Sequence, residues 1–368
     1  MDIRKLRKIE WLIPLFAIVL CIIGLIALYS ASYDTNLEEF KKQLIWIGVS
    51  VFLMLIVMNI DYKFLVKISP IFYGISILML IAVLFTKPIN GAKSWFVIGN
   101  DLFSFQPAET AKVFVILFLA YVISTIQRNG RDEINKIPKL ALILLTIAVP
   151  VLLIIIEPDY GTATAYIIAF LVMIFVAGID KKYIISAIAL VIIAVPLIYN
   201  FILPQHAKSR IDTFLHPESD PKGAGYNILQ SKLAIGAGEI TGMGVLNGNQ
   251  TQLGYLYPKT TDFIFSVIGE EMGFVVACSV IILNVIIITK SIQVAKGIKD
   301  DAGAYVAAGI AGMFLFHTLE NIGMTMGLLP ITGVPLLFVS YGRKFNDDEF
   351  LVFRNSTKYK QSKKKWNV

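Results

Sequence analysis

The sequence predicts an all-α polytopic membrane protein with about nine transmembrane helices and one large extracytoplasmic loop. Three observations carry this. Hydrophobic residues make up 56% of the 368 and charged residues only 16%, where a soluble domain carries about a quarter charged. Mean hydropathy is +0.71. Several apolar runs approach or exceed the roughly 18–20 residues that cross a bilayer core, whereas a membrane barrel gives weak alternating segments of about ten. The net charge of +7 is no nucleic-acid signal. No basic stripe interleaves with aromatics, and the positive residues sit in short loops, where they orient spans. Cys21 and Cys278 lie in apolar runs and read as buried small hydrophobes.

Arg4, Lys5, Arg7 and Lys8 precede a first span at about 11–31, which puts the N-terminus in the cytoplasm. That span is too long for a signal-peptide core and is read as retained. Span two covers about 42–60, after a short loop with Glu38, Glu39, Lys41 and Lys42. Span three covers about 69–86. A polar outside loop follows, with Trp95, Phe96 and Phe103 suited to the membrane interface. Pro107 opens span four, about 108–126, where a proline costs no hydrogen bond. Spans five and six, about 140–156 and 162–178, are joined by the tight turn EPDYGTA. Span seven ends at Pro204.

The segment 204–261 should then be extracytoplasmic and ordered. YNILQSKLAIGAG can form an amphipathic helix, and the glycine run Gly236–Gly248 follows it. Loops this long are usually functional or linkers. Span eight covers about 262–289 and span nine about 303–327, ending in the Gly/Pro-broken GLLPITGVPLLFVSYG. Residues 343–368 differ in kind, with eight Lys/Arg against three acids. Nine spans leave this tail outside, against the positive-inside tendency.

Few residues carry chemistry. Asp262 stands where the long loop meets span eight, at a membrane edge that still meets water. It is either a helix cap or a working carboxylate. Glu270 lies roughly 12 Å deeper along a continuous helix and about 80° round, with Glu271 nearly opposite Asp262. Glu109 and Lys112, three apart in span four, share a face. They form either a structural ion pair or the polar wall of a cavity. Glu157 and Asp159 flank Pro158 in a turn that solvent alone would explain. His206, His216 and His317 lack metal-site spacing and read as ordinary surface or core residues. The glycine run could offer N–H groups to a phosphate. Two function classes fit: a transporter lined by broken helices and buried charge, or an enzyme working at the extracytoplasmic face. Clustering of carboxylates and the large loop on one side favours the enzyme.

Five blocks carry a resemblance. They are NGAKSWF…FQPAETAK (90–112), EPDYGTA (157–163), RIDTFLHPESDPKGAGYNILQSKLAIGAGEITGMG (210–244), LYPKTTDFIFSVIGEEMGF (256–274) and NIGMTMGLLPITGVPLLFVSYG (321–342). The chain resembles the SEDS membrane proteins (shape, elongation, division and sporulation), which include RodA, FtsW and SpoVE. The wording DPKGAGYNILQS and AIGAG is nearer to RodA than to FtsW. The resemblance implies a peptidoglycan glycosyltransferase that polymerises lipid II in cell-wall elongation, on the outer face of the bacterial cytoplasmic membrane. It implies a class B penicillin-binding protein as crosslinking partner and elongation-complex proteins such as MreC and MreD around it. Asp262 matches the essential aspartate and would be the general base. Glu109 and Lys112 match the polar pair of span four, and Lys93 and Trp95 the loop before it. Gln106, Glu157, Asp159, Arg210, Tyr226, Gln230, Ser231, Lys232 and Glu270 fall within the matching blocks as candidate cavity or substrate residues. Positive charge for the departing pyrophosphate would come from Lys93, Lys112, Arg210, Lys232 or a divalent cation, Mg²⁺ or Mn²⁺, with Asp262 and Glu109 as candidate ligands. A lipid II flippase and an inactive scaffold of the elongation complex are the alternatives.

The match spans residues 1–342 as one transmembrane unit and then stops. Leu337 stands where a proline is common and Arg343 where a second glycine is usual. The basic tail 343–368 replaces the tenth span that the family carries, as a frameshift or a truncated gene product would. Ala108, Ala237, Glu239 and His317 are smaller departures.

Overall fold

The computed structural model describes residues 12–57, 59–87, 93–98, 103–202, 205–221, 223–298 and 300–341. The N-terminal basic residues and the tail 343–368 lie outside the described residues. The helices are α1 (Leu12–Ala31), α2 (Glu38–Val57), α3 (Tyr62–Val83), α4 (Pro107–Gln127), α5 (Ile137–Ile156), α6 (Tyr160–Ala177), α7 (Lys181–Leu197), α8 (Gln205–Leu215), α9 (Ala224–Ala237), α10 (Asn249–Gln252), α11 (Ile264–Gly297) and α12 (Asp301–Thr325). Among the described residues nine helices are long and apolar enough to cross a membrane, and they are the nine expected. The protein is an integral membrane protein.

Several helices, α2 and α3 among them, start earlier than hydropathy alone places them, because polar first turns are helical too. Glu38 and Lys42 pair at 3.1 Å across one turn of α2. Asp61 caps α3 by accepting from the Lys63 N–H at 3.0 Å. Asp159 caps α6, and Gly178 ends it with φ 88°. The expected irregular loop before α4 contains a two-stranded hairpin instead. Strand β1 (Phe96–Ile98) pairs antiparallel with β2 (Phe103–Phe105), Phe96 opposite Phe105.

Two apolar cores meet along α12. One gathers α3, α4, α5 and α6 around Ile123, Ile143, Met173 and Ala308. The other gathers α1 and α11 around Leu20, Phe263, Ile268 and Val280. Small residues let α12 approach closely, as between membrane helices generally. A Cβ at Gly312 would lie 2.9 Å from the Ala169 Cα of α6. Helices α2 and α7 bury no described residue.

The long segment is ordered, as expected, and contains α8, α9 and α10. Its glycine run serves the protein's own backbone. Within α11, Gly273 has φ 78° and ψ −178° and breaks the helix. The loop 238–244 fits into the break. Met243 and Gly244 N–H groups donate to the Glu270 and Glu271 carbonyls, both at 2.9 Å, and the Phe274 N–H donates to the Glu239 carbonyl at 2.9 Å. Groups freed by the break are thus satisfied by the loop. The approach demands glycine: a Cβ at Gly238 would come within 1.8 Å of the Gly269 carbonyl oxygen. This corrects the reading of the run as a phosphate cradle. The residues 274–297 alone reach about 36 Å at ~1.5 Å each, enough for a bilayer core of about 30 Å.

Candidate active site

Asp262 does not cap a helix. Helix α11 starts at Ile264, and Phe263, not Asp262, holds the cap position. The stretch 258–263 runs through turns instead. Its main chain is fixed from two sides. Asn321 of α12 donates from Nδ2 to the Asp262 carbonyl at 3.1 Å and to the Val334 carbonyl at 2.9 Å. Ser340 Oγ donates to the Thr261 carbonyl at 2.8 Å, and the Tyr341 N–H to the Thr260 carbonyl at 3.1 Å. Asp262 is buried, 7% exposed, and lines a cavity of about 200 Å³. Arg210 and Thr213 of α8, Ala224 and Ile228 of α9, and Ile331–Gly333 form the rest of the wall. Asp262 and Arg210 therefore line one hollow, an arrangement that suits acid–base chemistry beside a departing anion.

Glu109 and Lys112 do pair, at 2.9 Å, and the pair has a third member. Lys112 is 3% exposed, and its Nζ also lies 3.0 Å from His317 Nε2. An ammonium only donates, so Nε2 accepts. The ring proton then sits on Nδ1, which donates to the Pro335 carbonyl at 3.0 Å. His317 is neutral in this arrangement, and it ties α4 to the segment that walls the Asp262 cavity.

A third cluster sits where the hairpin meets the α5–α6 turn. Gln106 Nε2 donates to Asp159 Oδ2 at 2.7 Å, and Asp159 also accepts from the Thr162 N–H and hydroxyl. Glu157 is fully buried, and neither carboxylate oxygen has a hydrogen-bond partner among the described residues. Burial, then the Asp159 charge, push its pKa from 4.5 up to about 8, with the Ser94 hydroxyl opposing them. Trp95 is half-buried beside this cluster's Ser94, and Lys93 is exposed.

Residues 10–343 match the family described as the FtsW/RodA/SpoVE cell cycle proteins. The chain belongs to this family. It is 31% identical to the peptidoglycan glycosyltransferase RodA of Treponema pallidum (strain Nichols), over 93% of this chain and 95% of that relative. It is 33% identical to the peptidoglycan glycosyltransferase MrdB of Escherichia coli (strain K12), over 89% and 87%. Its fold superposes with TM-score 0.76 and 26% identity on a chain solved in a study of polymerization and crosslinking by a peptidoglycan synthase complex, covering 91% and 92% of the two chains.

Within this family member the other expected site residues fall in different places. Tyr226 and Gln230 lie half-buried on α9. Ser231 is buried in a helix contact, its hydroxyl 2.6 Å from both Ser266 Oγ and the Thr325 carbonyl. Lys232 is exposed and lies over Gly327, whose φ of +67° and missing Cβ leave it room. Glu270 is not in the Asp262 cavity. Its carboxylate is buried and accepts from the Gln250 N–H at 2.6 Å and from the Thr251 N–H and hydroxyl at 3.0 and 2.6 Å. It anchors the start of α10. Glu271 reaches the same turn, accepting from Ser30 Oγ at 2.7 Å and Gln252 Nε2 at 3.0 Å.

Four contributors escaped the sequence reading. His317, Glu320 and Asn321 lie on one face of α12, and Glu320 accepts from Thr332 Oγ1 at 2.7 Å. Their spacing in an apolar span was the available signal. Lys259 bridges Asp34 at 2.9 Å and the Thr251 carbonyl at 3.0 Å. Among the described residues no group of three or more His, Cys, Asp or Glu side chains could hold a metal ion. Glu109, one of the two candidate ligands, is already committed to Lys112.

Proposed function

We propose that this chain is a peptidoglycan glycosyltransferase that polymerises lipid II at the extracytoplasmic face of the bacterial cytoplasmic membrane. The observation that carries this is the shared cavity of Asp262 and Arg210, in a chain whose relatives are named for that activity. The sugar hydroxyl of one lipid-linked disaccharide attacks the anomeric carbon of another. The new glycosidic bond forms as the bond to pyrophosphate breaks, and the lipid pyrophosphate leaves with the electron pair. Asp262 takes the hydroxyl proton, a role worth typically 10²–10⁴-fold. Arg210, which lines the same cavity, offsets the charge of the leaving group. A Mg²⁺ or Mn²⁺ would be held by Asp262 together with substrate oxygens, the usual mode for Mg²⁺, and would neutralise the pyrophosphate.

The partner in this reading is a class B penicillin-binding protein, with MreC and MreD in the surrounding elongation complex. The likeness to a chain from a peptidoglycan synthase complex supports an association of that kind. The test is polymerisation of purified lipid II by the chain with its transpeptidase. Asp262→Asn should lower the initial rate by at least about a hundred-fold while leaving the melting temperature unchanged. A fully active Asp262→Asn chain removes Asp262 as base. Transbilayer movement of lipid II in vesicles without polymer would make the chain a flippase, and neither activity would make it a scaffold.

A further inference from the structure

Lys112 is almost completely buried and holds its charge between two partners from different parts of the chain. Glu109, on the same helix, is 41% exposed. His317 is 1% exposed and lies 205 residues away in sequence. A buried ammonium with one half-solvated partner would pull toward water, and a second acceptor holds it inside. The same imidazole donates to Pro335 with its other nitrogen. Pro335 lies two residues past Gly333, and Ile331–Gly333 line the same cavity as Asp262. One turn along α12, Asn321 holds the neighbouring Val334 carbonyl and the Asp262 carbonyl together. His317 and Asn321 therefore grip two consecutive carbonyls of one segment, and His317 also connects that grip to Lys112 of α4.

The geometry points to His317 as a positioning residue, which transmits the placement of the Glu109–Lys112 pair to the segment that lines the cavity with Asp262. It touches no reacting group. It rests on the glycosyltransferase reading for its consequence, though not for its bonds. Each ring nitrogen has a separate task, so each can be removed alone. In His317→Gln the side-chain amide reaches the Nε2 position, keeping an acceptor for Lys112 and losing the donor to Pro335. In His317→Asn the amide reaches the Nδ1 position and does the reverse.

The test measures kcat and KM for lipid II polymerisation by the full chain with its transpeptidase, beside the melting temperature of each variant. His317→Gln and His317→Asn should each lower kcat by about ten-fold or more, since small misplacements at a reacting site cost up to ~100-fold. KM should stay within about three-fold and melting within about 3 °C. In a Lys112→Met chain, adding His317→Gln should lower kcat no further, because the two act as one unit. Parental kcat in either His317 variant overturns the inference, as does multiplicative loss in the double variant. Should both His317 variants fail to fold, Lys112→Met alone must show the ten-fold loss, and parental kcat there overturns it. If the parent chain polymerises nothing, the glycosyltransferase reading fails by itself. The relay is then read from amide hydrogen exchange of the 331–334 backbone in detergent, where faster exchange in both His317→Gln and Lys112→Met supports it and parental exchange in either overturns it.

Discussion

Glu270→Ala separates a structural carboxylate from a chemical one. In the folded chain Glu270 accepts three hydrogen bonds from Gln250 and Thr251, two of them from backbone N–H groups at the start of α10. Truncation leaves those donors without an acceptor, at about 1–3 kcal/mol for each buried group. Removing the carboxylate also ends its own desolvation cost, so the net loss should be about 3 kcal/mol. At roughly 2–4 °C per kcal/mol, melting in detergent should fall by about 6–12 °C. Glu270→Gln keeps one oxygen for Thr251 and sets an NH₂ group against the Gln250 N–H, so its loss should be about half. Polymerisation measured well below the melting point should fall only modestly for both. Melting within about 2 °C of the parent would refute the anchoring role. A Glu270→Ala chain that melts normally and makes no polymer would return Glu270 to the chemistry.

Two further outcomes follow from buried contacts. The Glu157 pKa of about 8 lies above the value of 4.5 that the group has when unfolded, so the folded chain holds the extra proton between those limits. Stability should therefore fall as pH rises through that window and level off above about 8, and Glu157→Gln should flatten the dependence, as melting at pH 5 through 9 will show. Gly312→Leu places a side chain where a Cβ already meets Ala169 at 2.9 Å and Val172 at 3.1 Å. It should cost about 3 kcal/mol or more by overpacking, read as lost melting temperature and lost folded yield.

What the sequence made legible was whatever depends on local pattern. Nine apolar runs announced nine helices, and the α5–α6 turn was marked by Pro158 and Gly161. Features made by distant neighbours were not legible. Gly273 sits in an ordinary-looking apolar run, and its break exists because the loop 238–244 arrives to satisfy it. Glu270 looked like a deeper member of the Asp262 corner because its partners lie in a loop whose course the sequence does not state. His317 was dismissed as an isolated histidine, yet its isolation is only along the chain. For Asp262 the two readings were a cap and a working carboxylate. The cap fails because the helix begins two residues later, with Phe263 at the cap position.

The placement of Asp262 then rests on α12 more than on the helix it precedes. Three polar side chains of α12 reach outward from one face: His317 to Lys112 and Pro335, Glu320 to Thr332, and Asn321 to Asp262 and Val334. Below them, Gly309 and Gly312 let the same helix pack directly on Ile116 of α4 and on Ala169 and Met173 of α6. A close-packed helix has little freedom to slide. The small residues therefore set the height of α12, and that height sets both carbonyl grips on the 333–335 segment. In the proposed reaction, a main chain held this way at Asp262 would need no rearrangement when charge develops beside it, which is the condition under which fixed polar groups contribute most to a rate.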